Sequence, residues 1–201
     1  MIKAWMMKKR LVSNANIDDE DMADITDWAD GDSGTGDSSQ IAFDGQSCMK
    51  LNTGATVNGY SQRNQDIGTF GARTVFSLRI YCDKIGTKAA DDNFAHDFFN
   101  GVDKLTIFYY SDGLYIRGSG VLTEVGTDLV IQDVWQEWTY DVNWETKRLN
   151  VYLNGYLVGS GIDFTAADST ANGKVVFGSW SGTTANLISY VDWFKAGSDF
   201  A

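Results

Sequence analysis

The sequence predicts an all-β fold, a sandwich of two antiparallel sheets. Three observations carry this. Apolar and polar residues alternate along most of the chain, with little of the helical period. The alternating segments are short and recur about every ten residues, bounded by Gly, Asn and Asp. Proline is absent and glycine occurs 21 times, so Gly, Asn and Asp must make the turns. Many short strands in 201 residues form a sandwich or a barrel. Large residues on both faces of the alternation favour a sandwich whose outer sheet face is partly covered or forms a groove.

The elements follow in order. Residues 17–25 are acidic and read as a short helical piece. Residues 31–39, rich in Gly, Ser and Asp, read as a loop. Residues 74–81 put Phe76, Leu78 and Ile80 on one face and Val75, Ser77, Arg79 and Tyr81 on the other. Residues 93–99 read as a second helical piece with Phe94, Ala95, Phe98 and Phe99 on one side. Two strands, 105–110 and 113–117, flank an Asp112-Gly113 hairpin signal. Trp138, Tyr140 and Val142 alternate with Thr139, Asp141 and Asn143. Residues 149–153 run into Asn154-Gly155, another hairpin turn, and 156–158 return. Strands at 174–177 and 187–191 close the set, with Asn172-Gly173 as the turn before the first. Phe76, Leu78, Leu114, Ile116, Trp138, Tyr140, Val151 and Leu153 are the expected core. Residues 1–27 are expected to pack on or lead into the domain as an N-terminal acidic segment, and residues 28–201 to form it.

Composition narrows the function. The net charge is −11 and the pI about 4.4, which repels phosphate backbones and anionic lipids. Nucleic acid and membrane are therefore not expected as partners. No stretch approaches the roughly 20 apolar residues of a membrane helix. The N-terminal residues lack the long apolar region and cleavage site of a secretory signal. Cys48 and Cys82 fall in strand-like segments and read as buried thiols, with a disulfide as the alternative.

Three stretches together resemble the concanavalin A-like lectin/glucanase superfamily, of which laminin G-like domains are one branch. The first is the Trp28-Ala29-Asp30-Gly31 segment followed by Phe43-Asp44-Gly45 and its strand. The second is Trp135 to Trp144 leading into Val151-Tyr152-Leu153-Asn154-Gly155. The third is Tyr190-Val191-Asp192-Trp193-Phe194-Lys195, similar to the closing strand of bacterial β-glucanases. The resemblance covers residues 28–195 and implies a jelly roll of two stacked antiparallel sheets. It also implies a structural Ca²⁺ site, with the Asp192 carboxylate and the Gly45 carbonyl as ligands.

The catalytic motifs of that superfamily are not seen. No Glu-x-Asp-x-x-Glu strand occurs, so the carboxylate pair of retaining hydrolysis is missing. The only histidine, His96, lacks the flanking Gln of the lyase pattern and reads as a surface hydrogen-bonding pair with Asp97. No Gly-x-Ser-x-Gly elbow, phosphate loop or Cys/His zinc cluster is present. The Asp30-Gly31-Asp32-Ser33-Gly34 run opens like an EF-hand loop but has Ile41 at its twelfth position, where Glu is needed.

The outward faces give the remaining clue. Arg79, Tyr81, Phe108, Tyr110, Tyr115, Arg117 and Asp141 are expected to form a glycan-contact face, because rings stack on pyranose C–H faces while polar groups take hydroxyls. The expected function is a non-catalytic glycan-binding or adhesion module on a virion surface or outside the cell. The alternative is a structural virion decoration or appendage protein that uses the same face to bind other virion proteins or to self-associate, and a polysaccharide hydrolase or lyase is the third, least favoured reading.

Overall fold

The structure, a computed structural model, describes residues 15–20, 22, 24–68, 70–101, 103–117, 121–164, 172–184 and 186–198. Most of the expected N-terminal segment lies outside the described residues. Fifteen strands run through the described ones. They are β1 (Ala15–Glu20), β2 (Ala29–Asp30), β3 (Asp37–Phe43), β4 (Gln46–Asn52), β5 (Tyr60–Asp66) and β6 (Arg73–Lys84). Then come β7 (Asn93–Asn100), β8 (Asp103–Tyr110), β9 (Gly113–Arg117), β10 (Leu122–Gly126) and β11 (Trp135–Asn143). The set closes with β12 (Arg148–Leu153), β13 (Tyr156–Asp163), β14 (Asn172–Trp180) and β15 (Ile188–Ser198). The one helical element among the described residues is a 3₁₀ turn at Lys88–Ala90.

The strands form two antiparallel sheets. The first runs β13-β12-β11-β6-β15-β4-β3, and β1 pairs with the end of β15 beyond β4. The second runs β10-β9-β8-β7-β14-β5-β2. The expected two-sheet jelly-roll sandwich is thus present. Both hairpin turns that the sequence signals are made. At Asn154-Gly155 both residues have positive φ (50° and 81°), the twist that matches flanking strands. Asp44-Gly45 turns β3 into β4 in the same way (52° and 78°).

The core lies between the sheets. Phe76 is fully buried and stacks on Phe98 at 3.7 Å, tying β6 of the first sheet to β7 of the second. Leu78, Leu114, Ile116, Trp138, Tyr140 and Val151 are buried as expected, while Leu153 packs at the core margin and is only partly buried. Burial of this kind stabilises by roughly 25 cal/mol per Å² of apolar surface.

Four expectations are corrected. Residues 93–99 are a strand, β7, not a helix: Phe94, His96 and Phe98 point into the core with period two, and the segment pairs with both β8 and β14. Part of 17–25 is strand β1, because β15 offers it an open edge. Asn172-Gly173 is not a turn but a bulge inside β14. There Gly173 has φ of 65°, and a Cβ on it would lie 1.5 Å from the Gly68 carbonyl oxygen, so only glycine fits. His96 is not at the surface. It is 1% exposed among Phe98, Tyr109, Tyr140 and Phe177. Neither ring nitrogen has a hydrogen-bond partner. Burial pushes its pKa down to about 3, so it is neutral at pH 7.

Cys48 and Cys82 are both free and buried. Burial pushes their thiols up, to about 11 and about 12 respectively. They are small core residues, not reactive groups.

Candidate functional site

The residues expected on one face are divided between the two sheets. Arg79, Tyr81 and Asp141 stand on β6 and β11, on the outer face of the first sheet. Phe108, Tyr110, Tyr115 and Arg117 stand on β8 and β9, in the second sheet. The sandwich core separates the two groups. Period-two alternation shows which side of its own sheet a residue takes, but not which sheet the strand joins.

On the first sheet the expected residues are held by their neighbours. Asp141 is 4% exposed and accepts from Arg73 Nε at 2.7 Å and Arg73 Nη2 at 2.6 Å. Tyr81 sits in a ring cluster with Phe43, Trp135 and Tyr190. Arg79 Nη1 donates to Asp192 Oδ2 at 2.7 Å and to Gln46 Oε1 at 3.1 Å, and its guanidinium lies 4.7 Å from the Trp135 ring centre. Asp192 stands at a bulge in β15, between Val191 and Trp193, and is largely buried.

The cation that meets Asp192 is therefore Arg79. Gly45 is in the β3–β4 turn, one residue before Gln46. Calcium takes six to eight oxygens, so the Asp192 carboxylate and the Gly45 carbonyl would be two of the set it needs. Among the described residues no three His, Cys, Asp or Glu side chains come together as a metal site.

The outer face of the second sheet is different, because it carries a groove of about 280 Å³. Its floor is made by small residues. Ala95 on β7 pairs with Gly178 on β14. Val176 and Thr106 extend the floor along the next row. One wall is Tyr60 and Trp180, cross-strand partners whose rings are 6.0 Å apart. Tyr60 leans over the floor: a Cβ on Gly178 would lie 3.1 Å from its hydroxyl. Burial, then the charges of Asp97 and Asp32, push the Tyr60 hydroxyl up to about 12. It is a neutral donor at pH 7.

The opposite wall is Phe108, paired across the sheet with Ala95 on one side and Tyr115 on the other. Phe108, Tyr110 and Tyr115 form a small cluster of their own, each under a tenth exposed. The Arg117 guanidinium lies 4.6 Å from the Phe108 ring centre, and Lys88 lies 4.6 Å from that of Tyr115. Tyr110 donates from its hydroxyl to Asp91 Oδ1 at 3.0 Å. Phe108 and Arg117 line the groove, while Tyr110 and Tyr115 pack behind its wall. These two rings are not open stacking platforms.

Polar groups stand along the groove. Asp97 Oδ2 pairs with Lys104 Nζ at 2.9 Å, and Asp97 Oδ1 is buried without a partner. Asn93 and Asp91 close the other end. Behind that end Asp92 fixes a loop, accepting from the backbone N–H groups of Gly182, Thr183 and Thr184 at 2.8–3.1 Å. That loop follows Trp180 directly, so Asp92 helps to set the Trp180 wall.

Tyr60, Trp180, Ala95, Asp97, Lys104 and Gly178 were not among the expected site residues. A period-two reading of 93–100 would have placed Ala95 and Asp97 outward, opposite Phe94, His96 and Phe98. The same reading of 176–180 would have placed Gly178 and Trp180 outward, opposite Phe177 and Ser179.

No family model and no curated protein matches the sequence. Several solved structures share the fold. A sialidase superposes with TM-score 0.67 at 12% identity, covering 92% of this chain and 19% of that one, so this chain spans under a fifth of its length. Cellulose induced protein Cip1 superposes with TM-score 0.68 at 17% identity, covering 90% and 97%. A conserved carbohydrate esterase from Shiga toxin-encoding bacteriophage phi24B superposes with TM-score 0.62 at 11% identity, covering 91% and 99%. At these identities the likeness establishes the fold. It is a β-sandwich of jelly-roll type, in line with the concanavalin A-like resemblance at a coarse level.

Proposed function

We propose that this protein is a glycan-binding module and that its sugar site is the groove on the outer face of the second sheet. The observation that carries the reading is the Ala95–Gly178 floor between aromatic walls. The small Ala95 leaves the groove open beside Phe108, and the Tyr60 ring edge covers Gly178 and brings its hydroxyl to the floor. Tyr60 and Trp180 offer stacking faces on one side, and Phe108 under Arg117 bounds the other. Asn93, Asp97, Thr106 and the Tyr60 hydroxyl supply donors and acceptors for hydroxyls. Aromatic walls with convergent polar groups are what a sugar site needs.

The fold neighbours support this reading, since two of them are named for action on carbohydrates. The role is binding rather than turnover. His96 is buried in the core, and Asp97 is engaged by Lys104. We place the module on a virion surface, a setting in keeping with the bacteriophage neighbour. Many copies on one particle would convert weak single-site contacts into firm attachment.

A glycan array probed with multimerised protein tests the proposal. Wild type should bind a defined set of glycans. Trp180→Ala should weaken that binding by several-fold to about tenfold, the scale of one aromatic contact. Binding that survives Trp180→Ala and Tyr60→Ala together would move the site elsewhere. Absence of binding, with self-association instead, would favour a structural appendage protein.

A further inference from the structure

Arg117 is exposed at the end of β9 and faces the groove. No carboxylate among the described residues forms an ion pair with it, in a protein of net charge −11. Its guanidinium is nevertheless placed, lying 4.6 Å from the Phe108 ring centre. A guanidinium held on a ring has lost part of its rotational freedom before any ligand arrives. Its N–H edge matches the two oxygens of a carboxylate.

A second group complements it across the sheet. Asp97 pairs with Thr106, and Thr106 pairs with Arg117. Two strand spacings put the Asp97 and Arg117 backbones about 10 Å apart. Both residues line the groove, with Thr106 between them. Asp97 Oδ2 is neutralised by Lys104 at 2.9 Å, while Oδ1 is buried and has no donor. Asp91, the other acid of the groove, is engaged by the Tyr110 hydroxyl at its far end.

We infer that the groove takes an acidic sugar, a hexuronic or sialic acid unit. Its carboxylate accepts two N–H bonds from Arg117, with the sugar ring seated in the groove beside the Asp97–Lys104 pair. The inference rests on the glycan-binding reading and narrows it to carboxylated glycans.

Calorimetric titration of the full chain tests it. The probes are oligogalacturonate and sialyllactose, each beside its carboxyl-reduced form. Wild type should bind one carboxylated probe at least about tenfold more tightly than its reduced form, equivalent to about 1.4 kcal/mol. The probe that binds identifies which acid is recognised. Arg117→Gln should abolish the preference. Arg117→Lys, which keeps the charge but not the fork, should lose most of it. Trp180→Ala should weaken both forms while keeping their ratio. Arg117 is exposed, so melting temperatures of its variants should match wild type. Equal affinity for both forms, with loss in Trp180→Ala, would overturn the acidic-sugar inference and leave the groove reading intact. Failure to bind any glycan would overturn both.

Discussion

Ala95 on β7 and Gly178 on β14 face each other across the second sheet, and neither carries a side chain beyond Cβ. Their neighbours on the same face are large: Phe108 beside Ala95, and Tyr60 leaning over Gly178. Ala95 keeps the groove open between Phe108 and Tyr60, while Gly178 makes room for the Tyr60 ring edge.

Filling that floor should close the site without harming the fold. Ala95→Leu adds a branched side chain on the outer face, away from the core. Surface changes of this kind usually move stability by within about 0.5 kcal/mol. Glycan binding should be lost while the melting temperature stays near wild type. Undiminished binding would show that the ligand does not sit on the Ala95–Gly178 floor.

Core packing makes a separate prediction. Phe76 touches Phe70, Phe98, Trp144 and Phe194, so its ring joins both sheets. Phe76→Ala should cost roughly 3–5 kcal/mol, the sum of lost burial and the cavity left behind. Denaturant unfolding measures this, and a cost below about 1 kcal/mol would contradict the packing described.

His96 should make the fold acid-sensitive. Its pKa is about 3 when folded, against about 6.5 for the free side chain. Between these values the unfolded chain binds a proton that the folded one refuses. Stability should therefore fall as pH drops below about 6.5 and level off near 3. Asp92 adds to the acid end. Burial raises its pKa, but hydrogen bonds from Thr184 and Thr183 lower it by more, so its contribution is lost below about 4. Unfolding midpoints across this range should flatten above pH 4 in His96→Leu. An unchanged slope in that variant would assign the acid sensitivity to other groups.

Arg79 should carry the counter-charge at Asp192. A chelator should then leave the melting temperature unchanged, whereas Arg79→Gln should lower it by leaving a largely buried carboxylate unpaired. A chelator-induced drop that Asp192→Ala removes would instead place Ca²⁺ at this carboxylate, because a ligand bound only to the folded state stabilises it.

Much of the fold is legible in the residues themselves. The Asn154-Gly155 turn and the alternation of Phe76, Leu78 and Ile80 each specify local geometry that the structure repeats. Residues 93–99 mislead because Phe94, Ala95, Phe98 and Phe99 also satisfy a helical spacing. Only pairing with β8 and β14 decides for the strand. That one misreading also hides Ala95 and Asp97, which line the groove. The split of Arg79, Tyr81 and Asp141 from Phe108 and Arg117 has a different cause. Sheet membership is a long-range property, set by which strands pair, and no local pattern encodes it. His96 is illegible for a third reason. A histidine beside an aspartate reads as polar, yet five ring neighbours outweigh its preference for water.

Backbone amide shifts during titration with a bound oligosaccharide test the central claim most directly. The account predicts changes concentrated at Ala95, Asp97, Thr106, Gly178 and Trp180, with Ser77, Arg79 and Tyr81 on the opposite sheet unmoved. Changes centred on Arg79, Tyr81 and Trp135, with Ala95 and Gly178 silent, would contradict it.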